Sequence, residues 1–112
     1  MPRKRKPAKR FVPRFVRAMA EKKIAVYDMQ ITETRESINR VREQKRDIEK
    51  KLVELVDQID AYKKSLGGVP ESVTRKLEEL DKEHLLVHDT IGTKRAFIEY
   101  YQRKKRFWQR FI

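Results

Sequence analysis

A seven-residue repeat of mostly apolar residues runs from Ile24 to Leu66 without a proline or glycine inside it. The first position of the repeat, position a, holds Ile24, Ile31, Ile38, Lys45, Leu52, Ile59 and Leu66. The fourth position, position d, holds Tyr27, Thr34, Val41, Ile48, Leu55 and Tyr62. Sustained repeats of this kind, with charged residues at the remaining positions, are typical of a coiled-coil helix. Such a helix needs a partner, because its apolar stripe would otherwise face water.

The second half of the chain supplies that partner after the turn Gly67-Gly68-Val69-Pro70. Position d continues with Val73, Leu80, Val87, Lys94, Tyr101 and Trp108, and position a with Leu77, His84, Ile91, Ile98, Lys105 and Ile112. Folding back at the turn sets every a residue opposite a d residue. The predicted pairs include Leu66 with Val73, Lys45 with Lys94 and Tyr27 with Ile112. The fold class is therefore predicted to be all-α, a long antiparallel two-helix coiled-coil hairpin.

The predicted domain organisation is a basic N-terminal arm at 1–12, helix 1 at 13–66, a turn at 67–71 and helix 2 at 72–112. Proline is favoured at the first position of a helix, so we expect helix 1 to begin at Pro13. Ser72 is the expected N-cap of helix 2. Residues 1–10 are too highly charged to fold alone, and we expect a partner, such as a polyanion, to order them.

The positive charge lies mainly at one end of this hairpin. The chain carries a formal net charge of +12, and 41% of its residues are charged. Residues 1–20 hold eight Lys or Arg residues and no acid, and residues 94–112 hold seven against the single Glu99. Both segments meet at the end of the hairpin away from the turn, here called the open end. Polyanions, above all nucleic acids, bind such surfaces by releasing condensed counterions.

Thirteen basic side chains of the open end are the candidate phosphate-binding residues. They are Arg3, Lys4, Arg5, Lys6, Lys9, Arg10, Arg14, Arg17, Arg103, Lys104, Lys105, Arg106 and Arg110. The chain contains no base-reading motif, so we expect sequence-independent binding, and the partner is either RNA or DNA.

An aromatic stripe accompanies the charge on helix 2. It consists of Phe97, Tyr100, Phe107 and Phe111 at alternating spacings of three and four, outside the a and d positions. A shorter stripe on helix 1 holds Val12, Val16, Met19 and Val26. Contiguous apolar patches of this size usually mark interaction sites. We expect a second copy of the chain or neighbouring proteins of an assembly to cover the aromatic stripe.

No arrangement of residues typical of catalysis is present, and neither an enzyme nor a cofactor is expected. His84 and His88 are one helical turn apart, yet they lack a third ligand, so His84 is interpreted as a seam residue and no metal site is predicted. No apolar run reaches the ~20 residues that span a bilayer. The N-terminus also lacks the apolar segment of a secretory signal.

The sequence therefore predicts a non-enzymatic structural nucleic-acid-binding protein of a nucleoprotein assembly, either a ribosomal-type particle or a viral or chromosomal nucleocapsid. The expected location is the cytoplasm or such a particle (ribosome, nucleoid or virion). Two alternatives remain: a peripheral membrane-surface binder, and a coiled-coil protein-protein adaptor whose basic arm is a localisation signal.

Overall fold

The computed structural model describes residues 11–112 and confirms the helical hairpin. Helix α1 spans Arg14–Leu66 and helix α2 spans Glu71–Gln109. At 1.5 Å per residue, α1 is about 80 Å long. The two helices pack along their length and no strand occurs among the described residues. The prediction that residues 1–10 form a partner-ordered arm lies outside the described residues.

Proline precedes each helix, and glycine follows the first. Pro13 is the N-cap of α1, and its carbonyl accepts a hydrogen bond from the Arg17 amide at 3.0 Å. Gly67 ends α1 at a φ of 68°, the left-handed conformation that glycine adopts without strain. Pro70 is the N-cap of α2, so the prediction that Ser72 caps this helix is wrong. The Pro70 carbonyl instead accepts the first amide bonds of α2, from Val73 and Thr74.

The end of α2 differs from the prediction by one turn. The helix was expected to continue to Ile112, but it ends at Gln109. Its last amides bond three residues back rather than four, including Phe111 to the Trp108 carbonyl at 3.0 Å. Tightened final turns of this kind are common where a helix has no following cap.

Burial confirms the a and d positions as the seam between the helices. Five seam residues are buried: Ile31, Ile38, Ile48, Leu55 and Ile91. The remaining a and d residues from Ile24 to Trp108 are half-buried, apart from Leu66 at the turn, which is exposed. His84 is half-buried, as expected of a seam residue. The seam is thin. Among the described residues, only Ala20 has a relative exposure below 2%.

The register of the two helices differs from the prediction by about one heptad. Lys105 Nζ lies 2.7 Å from Asp28 Oδ1, and the ring centroids of Tyr27 and Tyr101 are 6.2 Å apart. In the predicted register Tyr27 would face Ile112, about 16 Å along the axis from Tyr101. A slip of one heptad brings Tyr27 level with Lys105, as the observed contacts require. The predicted pairs of Leu66 with Val73 and Tyr27 with Ile112 are therefore wrong.

Burial at both ends of the seam agrees with the slip. Leu66 is 71% exposed, whereas Ala20, one heptad ahead of Tyr27, is 0% exposed. The a-to-d pairing survives a shift of seven residues, so the repeat alone does not distinguish the two registers. The slip also separates Lys45 from Lys94, which removes a like-charge layer from the seam. The observed register thus buries Ala20 and avoids the repulsion between Lys45 and Lys94, and these gains oppose the free-energy cost of exposing Leu66.

Gly92 provides a test of how regular α2 is. The helix runs through Gly92, and a Cβ added there would meet no atom within 4 Å. We expect Gly92→Ala to stabilise the hairpin by about 1 kcal/mol, because alanine loses less backbone entropy in a helix. Gly67→Ala should instead destabilise it by about 1 kcal/mol, because φ is positive there. Thermal unfolding followed by circular dichroism measures both changes, and a loss of stability in Gly92→Ala would contradict the regular helix.

Candidate nucleic-acid interface

The antiparallel seam gives the open end two sides with different chemistry. In an antiparallel pair, the e and b positions of both helices lie on one side of the seam, and the c and g positions lie on the other. Most basic residues of the described open end fall at e, b and the outward f positions, whereas the apolar stripes fall at c and g. The charge at e and b is therefore separated from the apolar surface around the rod, whereas Arg103 and Arg110, at f, border Phe107.

A polar groove occupies the first of these sides and joins the two helices. It is lined by Asp28, Ile31, Thr32 and Arg35 of α1 and by Gln102, Lys105, Arg106 and Gln109 of α2. Lys105 is half-buried there and forms the 2.7 Å ion pair with Asp28. Arg35 and Arg106 are exposed. Guanidinium groups bind phosphate through paired hydrogen bonds, and the amides of Gln102 and Gln109 add neutral donors.

Two exposed arginines of α2 and Arg110, which directly follows the helix, continue from this groove along one edge of the rod. Arg103, Arg106 and Arg110 are separated by three and four residues, so they lie on one helical face. We call these three residues the basic edge. Among the described residues, no member of the basic edge forms an ion pair within 4.0 Å. All three charges are therefore available to an external anion.

The other predicted phosphate-binding residues are distributed around the open end. Arg14 and Arg17 are exposed in the first turn of α1. Lys104 lies away from the basic edge, with its Nζ 5.7 Å from the centroid of the Tyr100 ring. Six candidates, Arg3, Lys4, Arg5, Lys6, Lys9 and Arg10, lie outside the described residues. The structure thus brings Lys105 and Arg106 together, while Lys104 belongs to a different side.

Arg35 is a groove residue that sequence reasoning missed. It lies outside the two terminal segments in which basic residues outnumber acids most strongly. It lines the same groove as Lys105 and Arg106. The predicted register sets Thr34 opposite Lys105 and therefore also places Arg35 near this end, but the candidate residues come from the two terminal segments alone. Its e position, shared with Asp28, was the one available signal.

The predicted aromatic stripe lies outside the seam on the opposite side. Phe97 and Tyr100 are each 51% exposed, Phe107 is 46% exposed, and Phe111 is half-buried. The rings of Phe107 and Phe111 pack edge to face with centroids 5.6 Å apart. Phe97 stacks on the seam residue Tyr101 at 6.3 Å. These contacts fix the orientation of the rings while leaving about half of their surface uncovered.

The apolar stripe of α1 lies next to the aromatic stripe. Val12 and Val16 line one cavity with Phe107 and Phe111, between the start of α1 and the end of α2. Met19 and Val26 continue this stripe along α1 and are each 43% exposed. We call the combined surface the apolar side; it consists of Val12, Val16, Met19, Val26, Phe97, Tyr100, Phe107 and Phe111. Sequence analysis found both stripes, and the structure shows that they form one surface.

Residues 11–112 contain neither a membrane-spanning helix nor a cluster of metal-binding side chains. Neither α1 nor α2 contains a stretch apolar enough to cross a membrane. No group of three or more His, Cys, Asp or Glu side chains is positioned to bind a metal in this range. His84 instead pairs with Glu49, whose Oε1 lies 3.2 Å from His84 Nε2.

Comparison with known proteins returned no match among family models, curated proteins or solved structures.

Proposed function

We propose that this chain is a non-enzymatic structural protein that binds nucleic acid through the basic open end of its hairpin. The observation that carries the proposal is the basic edge, with Arg35 and Lys105 in the adjoining polar groove. Exposed arginines on one helical face that form no ion pair within 4.0 Å among the described residues are poorly explained as an ordinary solvated surface. Duplex or folded nucleic acid presents phosphates at a spacing that such a row can follow.

The proposed mode of binding is electrostatic and independent of sequence. The basic edge and the arm contact phosphates, with Arg14 and Arg17 adding charge at the start of α1. Residues 21–93 are nearly neutral, with sixteen acids and fourteen Lys or Arg residues. Beyond the polar groove, this part of the rod projects away from the nucleic acid. A protein of a ribosomal-type particle or a nucleocapsid, located in the cytoplasm or in the particle itself, fits this division of the rod.

The apolar side favours a second candidate, a peripheral membrane-surface protein. Aromatic residues beside Lys and Arg are typical of helices that lie on anionic membranes. In this hairpin Arg106 and the polar groove lie on the other side of the seam from the apolar side, whereas Arg103 and Arg110 flank Phe107. A flat membrane therefore contacts only part of the basic surface together with the aromatic stripe. Nucleic acid is therefore the preferred partner.

Binding measured side by side on three probes tests the proposal. Fluorescence anisotropy with a labelled duplex DNA and a labelled RNA, and co-sedimentation with anionic vesicles, are each run at two salt concentrations. We expect both nucleic acids to bind and their affinities to fall steeply as salt rises. Binding to vesicles without binding to either nucleic acid would contradict the proposal and support the membrane candidate.

Deleting residues 1–10 measures the contribution of the arm in the same assay. The deletion removes six Lys or Arg residues and leaves both helices intact. With about 0.9 of log-log salt slope per phosphate contact on duplex DNA, the slope should become shallower by up to about 5. An unchanged slope would show that the arm makes no phosphate contact, and the basic edge would then carry the binding alone.

A further inference from the structure

The apolar side is too large to be explained as incidental exposure. Phe97, Tyr100 and Phe107 are about half exposed, Phe111 is half-buried, and each such side chain presents about 150–250 Å² when fully uncovered. With the valines and Met19 of α1, we estimate about 500 Å² of contiguous apolar surface per chain. Patches of this size on soluble proteins usually mark an interaction site.

Among the described residues, the start of α1 lies against only one end of this surface, where Val12 and Val16 meet Phe107 and Phe111. Residues from Arg14 onward belong to α1, so this segment does not fold back over the aromatic stripe. Residues 1–10 include six Lys or Arg residues, and their only other side chains are those of Met1, Ala8 and two prolines. A segment of that composition has little apolar surface to offer. The phosphate backbone of a nucleic acid is equally unsuited to an apolar surface.

We infer that the apolar side is the docking surface for a second copy of the chain. Two hairpins placed face to face form a four-helix bundle at their open ends, a standard arrangement for helices with two apolar faces. The contact is isologous, with the same surface on each copy. It buries roughly 1,000 Å² in total, which reaches the lower limit for a specific interface.

Charge on the apolar side permits this contact. The basic residues at its c and g positions in the open end are Lys23 and Lys104, and Arg110 lines its cavity beside Phe107 and Phe111. All three are exposed. Long lysine side chains keep their ammonium groups in water while their methylene groups cover apolar neighbours. The net positive charge of the two open ends opposes association, but salt screens this repulsion. Dimer formation should therefore strengthen as salt rises, whereas nucleic-acid binding weakens.

A dimer formed in this way would carry one basic edge on each copy, with Arg106 facing away from the contact and Arg103 and Arg110 at its border. Each edge then contacts a different stretch of nucleic acid, so the dimer bridges two segments. This consequence, unlike the dimer contact itself, rests on the proposed function.

Sedimentation of the full-length protein at high micromolar concentration tests the contact. We expect the wild type to sediment as a dimer and the double variant Phe97→Ser, Phe107→Ser as a monomer, with an unchanged helical circular-dichroism signal. Serine and phenylalanine have similar helix propensities, so the substitutions act on the surface rather than on the helix. The matched control is Val53→Ser with Leu85→Ser, which removes two apolar side chains that are 61% and 63% exposed elsewhere on the rod. This control should remain a dimer.

Two results would overturn the inference. One is a wild type that stays monomeric at both low and high salt. The other is a Phe97→Ser, Phe107→Ser variant that remains a dimer, since the contact would then use another surface.

Energy transfer between two differently labelled duplexes tests the bridging. The wild type should bring the labels together, whereas the double serine variant should bind each duplex without joining them. A dimer that binds neither duplex DNA nor RNA would contradict the proposed function without contradicting the dimer contact. A dimer that binds single duplexes without joining them would overturn the bridging.

Discussion

Leu55→Asp is expected to unfold most of the hairpin. Leu55 is 8% exposed in the seam, and an aspartate there would place a charge in an apolar layer with no partner. Burying an unpaired charge costs several kcal/mol, which is a large fraction of the stability of any small domain. A two-helix hairpin buries one stripe per helix and has little further stability to lose. We expect the helical circular-dichroism signal to fall sharply at room temperature.

The adjacent residue provides the control for this substitution. Val56 is also apolar, but it is 48% exposed and points away from the seam. Val56→Asp should retain the helical signal and shift the urea midpoint only slightly, because surface substitutions usually change stability by less than about 0.5 kcal/mol. Equal destabilisation by the two variants would contradict the assignment of the seam.

The helices and their seam could be predicted from sequence because they follow local rules. The repeat from Ile24 onward, the left-handed Gly67 and the prolines before each helix fix the elements within one or two residues, except at the end of α2. The register could not be predicted in the same way. A slip of one heptad keeps every a residue opposite a d residue, so the choice depends on the turn, on cover for Ala20 and on the separation of Lys45 from Lys94.

The candidate site was predictable only where it depends on a single helix. The aromatic stripe is a spacing pattern that the sequence predicts, and the three residues of the basic edge are among the thirteen predicted phosphate-binding residues, although the sequence analysis did not group them as one face. The polar groove combines residues of both helices, and Arg35, Lys105 and Arg106 line it together. The ion pair of Lys105 with Asp28 depends on the register, and it leaves Lys105 less available to an external anion than its exposed neighbours. The distribution of charge along the sequence does not show which basic residues are ion-paired and which are free.

The central claim is that nucleic acid binds at the basic edge rather than to the net charge of the chain as a whole. The triple variant Arg103→Gln, Arg106→Gln, Arg110→Gln removes three positive charges and should preserve the helices, since glutamine is a good helix former. Three lost phosphate contacts correspond to about 2.7 units of salt slope and about a 100-fold loss of affinity at about 0.15 M salt.

The matched variant Lys50→Gln, Lys51→Gln, Lys64→Gln removes the same charge from exposed positions of the rod far from the basic edge. The most direct measurement is the salt dependence of duplex DNA binding by the wild type and these two variants. We predict a shallower slope and about a 100-fold weaker affinity for the arginine variant, with the lysine variant close to the wild type. Equal losses in the two variants would contradict a binding surface at the open end.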